Sequence, residues 1–118
     1  MIFSKKDIGN YGEKIARKFL KKLGYKIIDK NYRTRAGEID IIAKDQKSFV
    51  FVEVKTRSDA RFGHPEQNVH FHKMRHFLSS VQVYLLENNI RDPFRLDVVS
   101  IDLSHKPPEI IHFKNVTM

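Results

Sequence analysis

The sequence predicts a single α/β domain in which helices flank one mixed β-sheet. Two segments carry apolar residues at helical spacing, and the runs between and after them are rich in β-branched and aromatic residues. The predicted order of elements is α-β-β-β-α-β, with a further short strand at the end. The length of 118 residues allows one core of normal size and no second one, so residues 1–118 are expected to form one domain.

The first helix is predicted over residues 8–23, and Gly24 directly after it is typical of a C-terminal stop. On a helical wheel, Glu13 lies at the margin of the apolar stripe. That stripe consists of Ile8, Tyr11, Ile15, Ala16, Phe19, Leu20 and Leu23. Lysine and arginine residues fill the opposite face, so the helix is expected to pack with one side and to present a basic side to solvent.

The remaining elements follow from periodicity and from turn residues. A short strand is predicted at 25–28, and residues 31–37 are expected to form a loop or a frayed strand. Two β-rich runs at 37–44 and 48–56 predict a hairpin. After it we expect, in order, a loop at 58–65, a helix at 66–88, a strand at 94–102 and a short edge strand at 109–114.

Composition excludes several classes of function. The chain has no cysteine, which excludes disulfide scaffolds, zinc sites with thiolate ligands and cysteine nucleophiles. It contains neither a Walker-type phosphate loop nor a dinucleotide-binding glycine motif. The N-terminus lacks an apolar run of signal-peptide length, and no stretch approaches the roughly 18 apolar residues of a membrane span. We therefore expect a cytoplasmic protein.

The net charge of +8 is concentrated in the N-terminal third of the chain. Residues 1–36 contain 11 Lys and Arg against 3 Asp and Glu, whereas residues 37–118 contain 11 of each kind. A small domain with a basic surface typically meets a polyanion, although exposed lysines on a helix also serve solubility alone. Because the apolar stripe of the first helix is committed to the core, nucleic acid is the expected partner and a membrane is not.

The predicted hairpin brings two carboxylates together. A turn centred between residues 46 and 47, with a loop of two or four residues, pairs residues whose numbers sum to 93, so Asp40 stands across from Glu53. A simple three-residue loop would not give this pairing. Lys55 lies two positions further along the same strand as Glu53, at a distance of about 6.6 Å. The pattern therefore predicts two acidic groups and one lysine at one end of the hairpin.

Opposed carboxylates repel each other unless a cation neutralises them. Mg²⁺ commonly binds one or two carboxylates together with phosphate oxygens. A lysine beside them can orient or deprotonate an attacking water, or balance charge on the phosphate. The alternative is ordinary: the carboxylates lie on a solvent-facing strand, and Lys55 pairs with Glu53. The apolar neighbours of these residues favour the first interpretation, because charges in a buried sheet need a partner or a role.

The motifs together resemble those of a known family over nearly the whole chain. The segments that carry the resemblance are GxxGE at 9–13, NYR at 31–33, GEIDIIA at 37–43, FVEVKTR at 51–57, FGHPE at 62–66 and RLDVV at 95–99. They strongly resemble the YraN-like group of small uncharacterised proteins. That group is similar to the PD-(D/E)XK nuclease superfamily and, in layout, to archaeal Holliday junction resolvases.

The resemblance implies a restriction-endonuclease-like αβββαβ core with helices beside a mixed sheet. It also implies an active site made of Glu13, Asp40, Glu53 and Lys55. The nominal Pro-Asp of the superfamily reads Ile39-Asp40 in this sequence, which keeps the acidic ligand. A fold alone does not establish catalysis, so the activity is an expectation.

These observations lead to the hypothesis of a metal-dependent nuclease that hydrolyses phosphodiester bonds of nucleic acid, with structured DNA as the preferred substrate. Asp40, Glu53 and the carbonyl of Val54 are expected to hold Mg²⁺ or Mn²⁺. Glu38 is expected on the same strand face as Asp40 and Ile42, where it either supports the site or bonds loop amides beside Gly37.

Contacts to the nucleic-acid backbone are expected from Lys14, Arg17, Lys21, Arg33, Arg35, Arg57 and Lys73. Such contacts carry no base information, so binding is expected to depend on structure rather than sequence. Symmetric cutting of two strands would need a twofold homodimer. Two alternatives remain: a catalytically silent nucleic-acid-binding module with the same fold, and an adaptor whose basic face meets a protein or a lipid surface.

Overall fold

The computed structural model describes residues 4–58 and 71–116, and at residues 71–73 it describes the backbone alone. The elements in chain order are α1 (Lys5–Lys22), β1 (Lys26–Thr34), β2 (Gly37–Asp45), β3 (Ser48–Arg57), α2 (Phe71–Glu87), β4 (Phe94–Asp102) and β5 (Glu109–Phe113). The strands form one sheet in the order β1-β2-β3-β4-β5. β3 and β4 are parallel, and the other neighbouring strands are antiparallel. The predicted α/β class and the mixed sheet with flanking helices are confirmed.

α1 begins at Lys5, three residues earlier than the apolar spacing predicts, because a capping box fixes its first turn. The Asp7 amide donates to Ser4 Oγ at 3.1 Å, and the Ser4 amide donates to Asp7 Oδ2 at 3.2 Å. These polar residues lie outside the apolar repeat, which is why the repeat alone starts too late. At the other end, Gly24 adopts a φ of +94°, as expected for the residue that stops the helix.

The β2–β3 hairpin has the predicted register. Its ladder runs from the pair Ile41–Val52 to the pair Asp45–Ser48, and the residue numbers of each pair sum to 93. The turn consists of residues 46–47, and Gln46 adopts a φ of +58°. A two-residue turn thus sets the register that brings the predicted site residues to one end of the hairpin.

β1 is longer than the sequence predicts. Residues 31–34, expected as a loop or a frayed strand, belong to a strand that pairs with β2. β1 lies at the edge of the sheet and most of its side chains are exposed, so the apolar alternation that would reveal a strand is missing. The register shifts once between Ile27 and Asp29, and Asn31 adopts a φ of +49°. β1 therefore carries two irregular positions within a few residues.

Each face of the sheet is covered by one helix and has its own core. The core under α1 includes Ala16, Leu20, Ile41, Val52 and Val99. The core under α2 includes Ile42, Phe51, Phe77, Val81 and Val98. Because consecutive residues of β3 alternate between these cores, the centre of the sheet is buried on both faces, and a charged side chain there requires a partner.

The second half of the chain agrees with the prediction where the structure describes it. α2 lies within the predicted 66–88, and Asn89 follows it with a φ of +52°. The predicted loop after Ser58 and the start of the predicted helix fall in 59–70, outside the described residues. β4 matches the predicted 94–102, and β5 supplies the predicted edge strand. Among residues 4–58 and 71–116, no helix combines the length and apolar character needed to cross a membrane.

Candidate active site

Asp40 meets β3 at the point where the β2–β3 ladder ends. The last backbone pair is Ile41–Val52, and beyond it the Asp40 carboxylate accepts a hydrogen bond from the Val54 amide, at 2.8 Å from Oδ2. Regular pairing would place Ile39 opposite Val54, so the carboxylate takes the place of a backbone carbonyl. This bond holds the Asp40 side chain against the segment of β3 that carries the E-x-K pattern.

The face alternation of β2 breaks at Asp40, which corrects the sequence prediction. Ile39 belongs to the core under α2, whereas Ile41 belongs to the core under α1 and Ile42 again to the core under α2. Ile39 and Ile41 thus face opposite sides, so the expectation that Ile42 shares the face of Asp40 and Glu38 is wrong. Glu38 and Asp40 themselves both lie near Glu13 of α1. The ladder to β3 has ended at this position, and the bond from the Asp40 side chain replaces the regular pairing that would have kept the alternation.

Glu53 and Lys55 of β3 lie beside Asp40 of β2, and the side chains of both are mostly buried. Their side chains are 12% and 20% exposed, and Lys55 Nζ lies 3.9 Å from Glu53 Oε1. Burial, and after it repulsion from Glu53, raises the pKa of Asp40 to about 7, although the Val54 hydrogen bond opposes the rise. Lys55 supplies one positive charge beside Glu53, and a further positive charge between the two carboxylates would relieve the repulsion that Asp40 still experiences.

Glu13 reaches the same region because α1 packs closely on β3. Gly12, the residue before it, is buried against Thr56, and a Cβ atom at Gly12 would lie 2.6 Å from Thr56 Cγ2. Burial, and after it repulsion from Glu38, raises the pKa of Glu13, while Arg17 lowers it. Repulsion from Glu13 contributes to the raised pKa of Asp40, and repulsion from Glu53 contributes to that of Glu13, so the structure brings the helix carboxylate within electrostatic reach of the hairpin carboxylates.

Asn31 lies between two of the carboxylates, although sequence reasoning did not single it out as a site residue. With the side-chain amide oriented so that its nitrogen faces the carboxylates, Asn31 donates to Glu13 Oε1 at 2.7 Å and to Glu38 Oε1 at 3.1 Å. The surroundings require this orientation of the amide, since ionised carboxylates only accept hydrogen bonds. The positive φ of Asn31 within a strand marks the position in the structure, but an asparagine in a polar edge strand gives no such signal in the sequence.

The donor atoms suit a hard divalent cation. Asp40 and Glu53 offer carboxylate oxygens, and the carbonyl of Val54 points toward β2 together with its N–H, because both groups of one strand residue face the same neighbour. Within the described ranges, no three Asp, Glu or His side chains converge closely enough to enclose an ion alone. Two carboxylates, one backbone carbonyl and oxygens of water or substrate form the kind of donor set that Mg²⁺ and Mn²⁺ accept.

The basic residues predicted to contact nucleic acid lie mainly on α1 and β1. Lys14 and Lys21 are exposed on α1, and Arg17 is half-buried and close enough to Glu13 to lower its pKa. Arg33 and Arg35 are exposed at the end of β1, with carboxylate oxygens at 3.8 and 3.6 Å. Exposed pairs of this kind contribute little to stability, so these side chains are available to other anions.

Arg57 has a different environment from the other predicted phosphate contacts. Its Nε and Nη2 atoms donate to Asp102 Oδ2 at 3.2 and 3.0 Å, and the two side chains are only 13% and 3% exposed. Its Nη1 atom is buried and has no hydrogen-bond partner in the described part of the chain. The structure thus places Arg57 in a buried ion pair, while the side chain of Lys73 lies outside the described residues.

Fold and cluster together define a small α/β protein with acidic groups and a lysine gathered where its central hairpin ladder ends. The chain belongs to the uncharacterised protein family UPF0102, whose model matches residues 12–101. The matched span contains Glu13, Asp40, Glu53 and Lys55. This membership confirms the resemblance to the YraN-like group that the motifs predict.

Three relatives show how far the similarity extends. A UPF0102 protein of Alkaliphilus oremlandii is 46% identical over 113 residues, which covers 93% of this chain and 97% of the relative. One of Clostridioides difficile is 42% identical over 111 residues, covering 93% of this chain and 96% of the relative. One of Caldanaerobacter subterraneus is 43% identical over 102 residues, covering 86% and 84%. The similarity therefore spans nearly the full length on both sides.

Proposed function

We propose that the protein is a metal-dependent nuclease that hydrolyses phosphodiester bonds in nucleic acid, with structured DNA as its substrate. The observation that carries the proposal is the position of Asp40, whose carboxylate bonds the Val54 amide at 2.8 Å and is repelled by Glu53. Lys55 lies 3.9 Å from Glu53 in the same mostly buried region. Perturbed acidic groups beside a buried lysine are typical of functional sites.

Each residue of the cluster has a task in this reaction. Asp40, Glu53 and the Val54 carbonyl would hold Mg²⁺ or Mn²⁺, which supplies neutralisation of charge and Lewis acidity when bound. The Val54 N–H fixes one oxygen of Asp40 and leaves the other for a ligand. Lys55 is placed to orient a water toward the phosphorus atom, or to balance the negative charge that develops on the phosphate oxygens. Glu13 adds a further carboxylate from α1.

The basic surface of α1 and β1 supplies the contacts to the nucleic-acid backbone. Lys14 and Lys21 are exposed on the helix that carries Glu13, Arg33 is exposed on β1, and Arg35 is exposed in the turn that follows β1. Phosphate contacts position a nucleic acid without reading its sequence, so we expect cleavage to follow the shape of the DNA.

The decisive experiment compares cleavage of branched, nicked and single-stranded DNA in Mg²⁺ and in Mn²⁺. Asp40→Asn and Lys55→Ala should each lower the cleavage rate by about 100-fold or more. Asp92→Asn is the matched control, because Asp92 is half-exposed, pairs with Lys44 at 3.6 Å and precedes β4 at the other end of the sheet. Cleavage that persists equally in all variants points to a contaminant and contradicts the site.

A catalytically silent nucleic-acid-binding module is the second candidate, and the exposed lysines of α1 favour it. Four of them, at positions 14, 18, 21 and 22, form no ion pair with any side chain in the described part of the chain. Replacing these four by Gln should flatten the dependence of DNA affinity on salt concentration. Replacing Lys47, Arg91, Lys106 and Lys114, which are exposed elsewhere, removes the same charge as a control. Salt-dependent binding without cleavage in either metal would favour the silent module.

A further inference from the structure

We propose that Asn31 is a positioning residue of the cluster: its amide ties Glu13 of α1 to Glu38 of β2 and so fixes how Glu13 presents its carboxylate. The inference deepens the proposed function and rests on it, because the task of Glu13 belongs to the nuclease site. Its geometric basis, however, is independent of any activity. Asn31 contributes one NH₂ group with two hydrogens, and two carboxylates from different elements each receive one of them.

Both distances are those of hydrogen bonds. The nitrogen of Asn31 lies 2.7 Å from Glu13 Oε1, typical of a charge-assisted bond, and 3.1 Å from Glu38 Oε1, within the ordinary N–H···O range. Glu13 and Glu38 repel each other, and this repulsion is the largest electrostatic influence on Glu13. Because the Asn31 amide is a neutral donor placed between the two carboxylates, it stabilises the ionised forms of both Glu13 and Glu38.

The backbone at Asn31 is adapted to this task. The pairs Lys30–Ile41 and Tyr32–Ile39 put Asn31 at the level of Asp40 in the sheet. The φ of +49° lies in the left-handed region, which asparagine tolerates and most side chains do not. The position therefore requires a residue that both accepts this conformation and carries a hydrogen-bond donor. Asparagine meets both requirements, whereas glycine meets only the first.

The consequence for Glu13 is electrostatic. Burial, repulsion from Glu38 and, more weakly, repulsion from Glu53 raise the pKa of Glu13, whereas the charge of Arg17 and, after it, the hydrogen bond from Asn31 lower it. Without the amide, Glu13 would keep its proton to higher pH and would be free to turn away from Asp40 and Glu53. Asn31 thus controls both the charge and the direction of a group that we place in the site.

Two variants separate the side chain from the backbone. Asn31→Gly keeps the left-handed conformation and removes the donor, and Asn31→Asp keeps the shape but places a third carboxylate against the other two. Asn89→Gly is the matched control, because Asn89 has a φ of +52° and is exposed after α2, away from the cluster. The primary measurement is the titration of the Glu13 side-chain carboxyl carbon by NMR, with no DNA or metal present.

We expect the midpoint of Glu13 to move to higher pH in Asn31→Gly, further in Asn31→Asp, and not at all in Asn89→Gly. An unchanged Glu13 midpoint in Asn31→Gly, in a protein that melts as the wild type does, overturns the inference. For DNA cleavage in Mn²⁺, Asn31→Gly should shift the acidic limb of the pH profile upward and lower kcat by roughly 10-fold while KM for DNA stays the same. If the wild-type protein cleaves nothing, the proposed function fails, but the titration still decides the role of Asn31.

Discussion

Gly12 of α1 lies so close to Thr56 of β3 that no side chain fits between them. A Cβ atom at Gly12 would stand 2.6 Å from Thr56 Cγ2. Glu13 is the next residue along α1, and Lys55 immediately precedes Thr56 on β3. The contact therefore sets how far Glu13 lies from Lys55. The glycine in the GxxGE motif therefore serves the cluster through packing.

Substitution of Gly12 should destabilise the protein even though alanine is the better helix former. We expect Gly12→Ala to lower the free energy of unfolding by about 1–3 kcal/mol, the usual cost of overpacking. Gly9→Ala is the matched control on the same helix, because a Cβ atom at Gly9 would meet nothing within 4 Å. It should raise the free energy of unfolding by up to about 1 kcal/mol. Urea denaturation of both variants measures the difference, and equal effects would contradict the tight contact.

The raised pKa of Asp40 makes folding stability depend on pH in a defined direction. The pKa rises from 3.8 to about 7 on folding, so between these values the folded chain keeps a proton that the unfolded chain has lost. Stability contributed at this site is therefore present at low pH and is lost as pH rises toward 7. The rise corresponds to at most about 4 kcal/mol once the loss is complete.

Asp40→Asn should remove this dependence. The neutral amide oxygen still accepts from the Val54 N–H, and no charge is buried beside Glu53. Without divalent cations, the variant should match the wild type near pH 4 and exceed it in free energy of unfolding near pH 8. Adding Mn²⁺ at pH 8 should stabilise the wild type only, since the cation needs the ionised carboxylate. If urea denaturation gives the same difference in free energy of unfolding between Asp40→Asn and the wild type at every pH, Asp40 is not a buried, protonated group.

The meeting of Asp40 and Glu53 could be predicted from the sequence because a short turn allows few registers. Once the turn is placed at residues 46–47, every pair of the hairpin follows, and the structure has that register from Ile41–Val52 onward. The sequence pattern could not predict that the β2–β3 ladder ends irregularly after the pair Ile41–Val52. Strict alternation fails at Asp40 because a side chain, rather than the backbone, bonds Val54 there.

Contacts between segments that are distant along the chain were beyond sequence reasoning. Asn31 meets Glu13 through a left-handed residue in an exposed edge strand, which no apolar pattern reveals. Asp97 lies within the RLDVV motif, but only the folded sheet shows that its carboxylate accepts a hydrogen bond from His112 of β5. Charge partners separated by many residues leave no periodicity, whereas apolar faces do, so the core was predictable and these polar contacts were not.

Asp97 should be among the most stabilising charged residues, since its side chain is fully buried. It accepts hydrogen bonds from Arg95 Nε at 3.1 Å, His112 Nε2 at 2.7 Å and the Asn115 amide at 3.0 Å. Burial alone would raise the pKa of Asp97, but the bonds from His112 and Arg95 hold it below its usual range. Its contribution is therefore present above the unfolded pKa and is lost only as pH falls through the lower folded value.

Asp97→Asn should lower the free energy of unfolding at pH 7 by about 3–5 kcal/mol, because it leaves Arg95 beside a buried neutral group. Asp45→Asn is the matched control: Asp45 pairs with the same guanidinium at 3.2 Å, but its side chain is 36% exposed. We expect that variant to cost about 1 kcal/mol or less. Urea denaturation distinguishes them, and similar costs would show that burial is not what makes the Asp97 contacts strong.

Variants of Arg57 and Arg33 should have opposite effects on stability and on DNA binding, because Arg57 is held in a buried ion pair and Arg33 is exposed to solvent. Arg57→Gln breaks the ion pair with Asp102, which is only 3% exposed, and should lower the free energy of unfolding by about 3 kcal/mol or more. Arg33, whose side chain is 88% exposed, should cost less than about 1 kcal/mol when changed to Gln. DNA binding should show the opposite order of effects, measured where both variants are folded. Arg33→Gln should reduce the slope of log affinity against log salt concentration by about one, the value for one phosphate contact. A salt slope that falls for Arg57→Gln and not for Arg33→Gln would assign the phosphate contact to the buried arginine, whose Nη1 atom has no partner among the described residues.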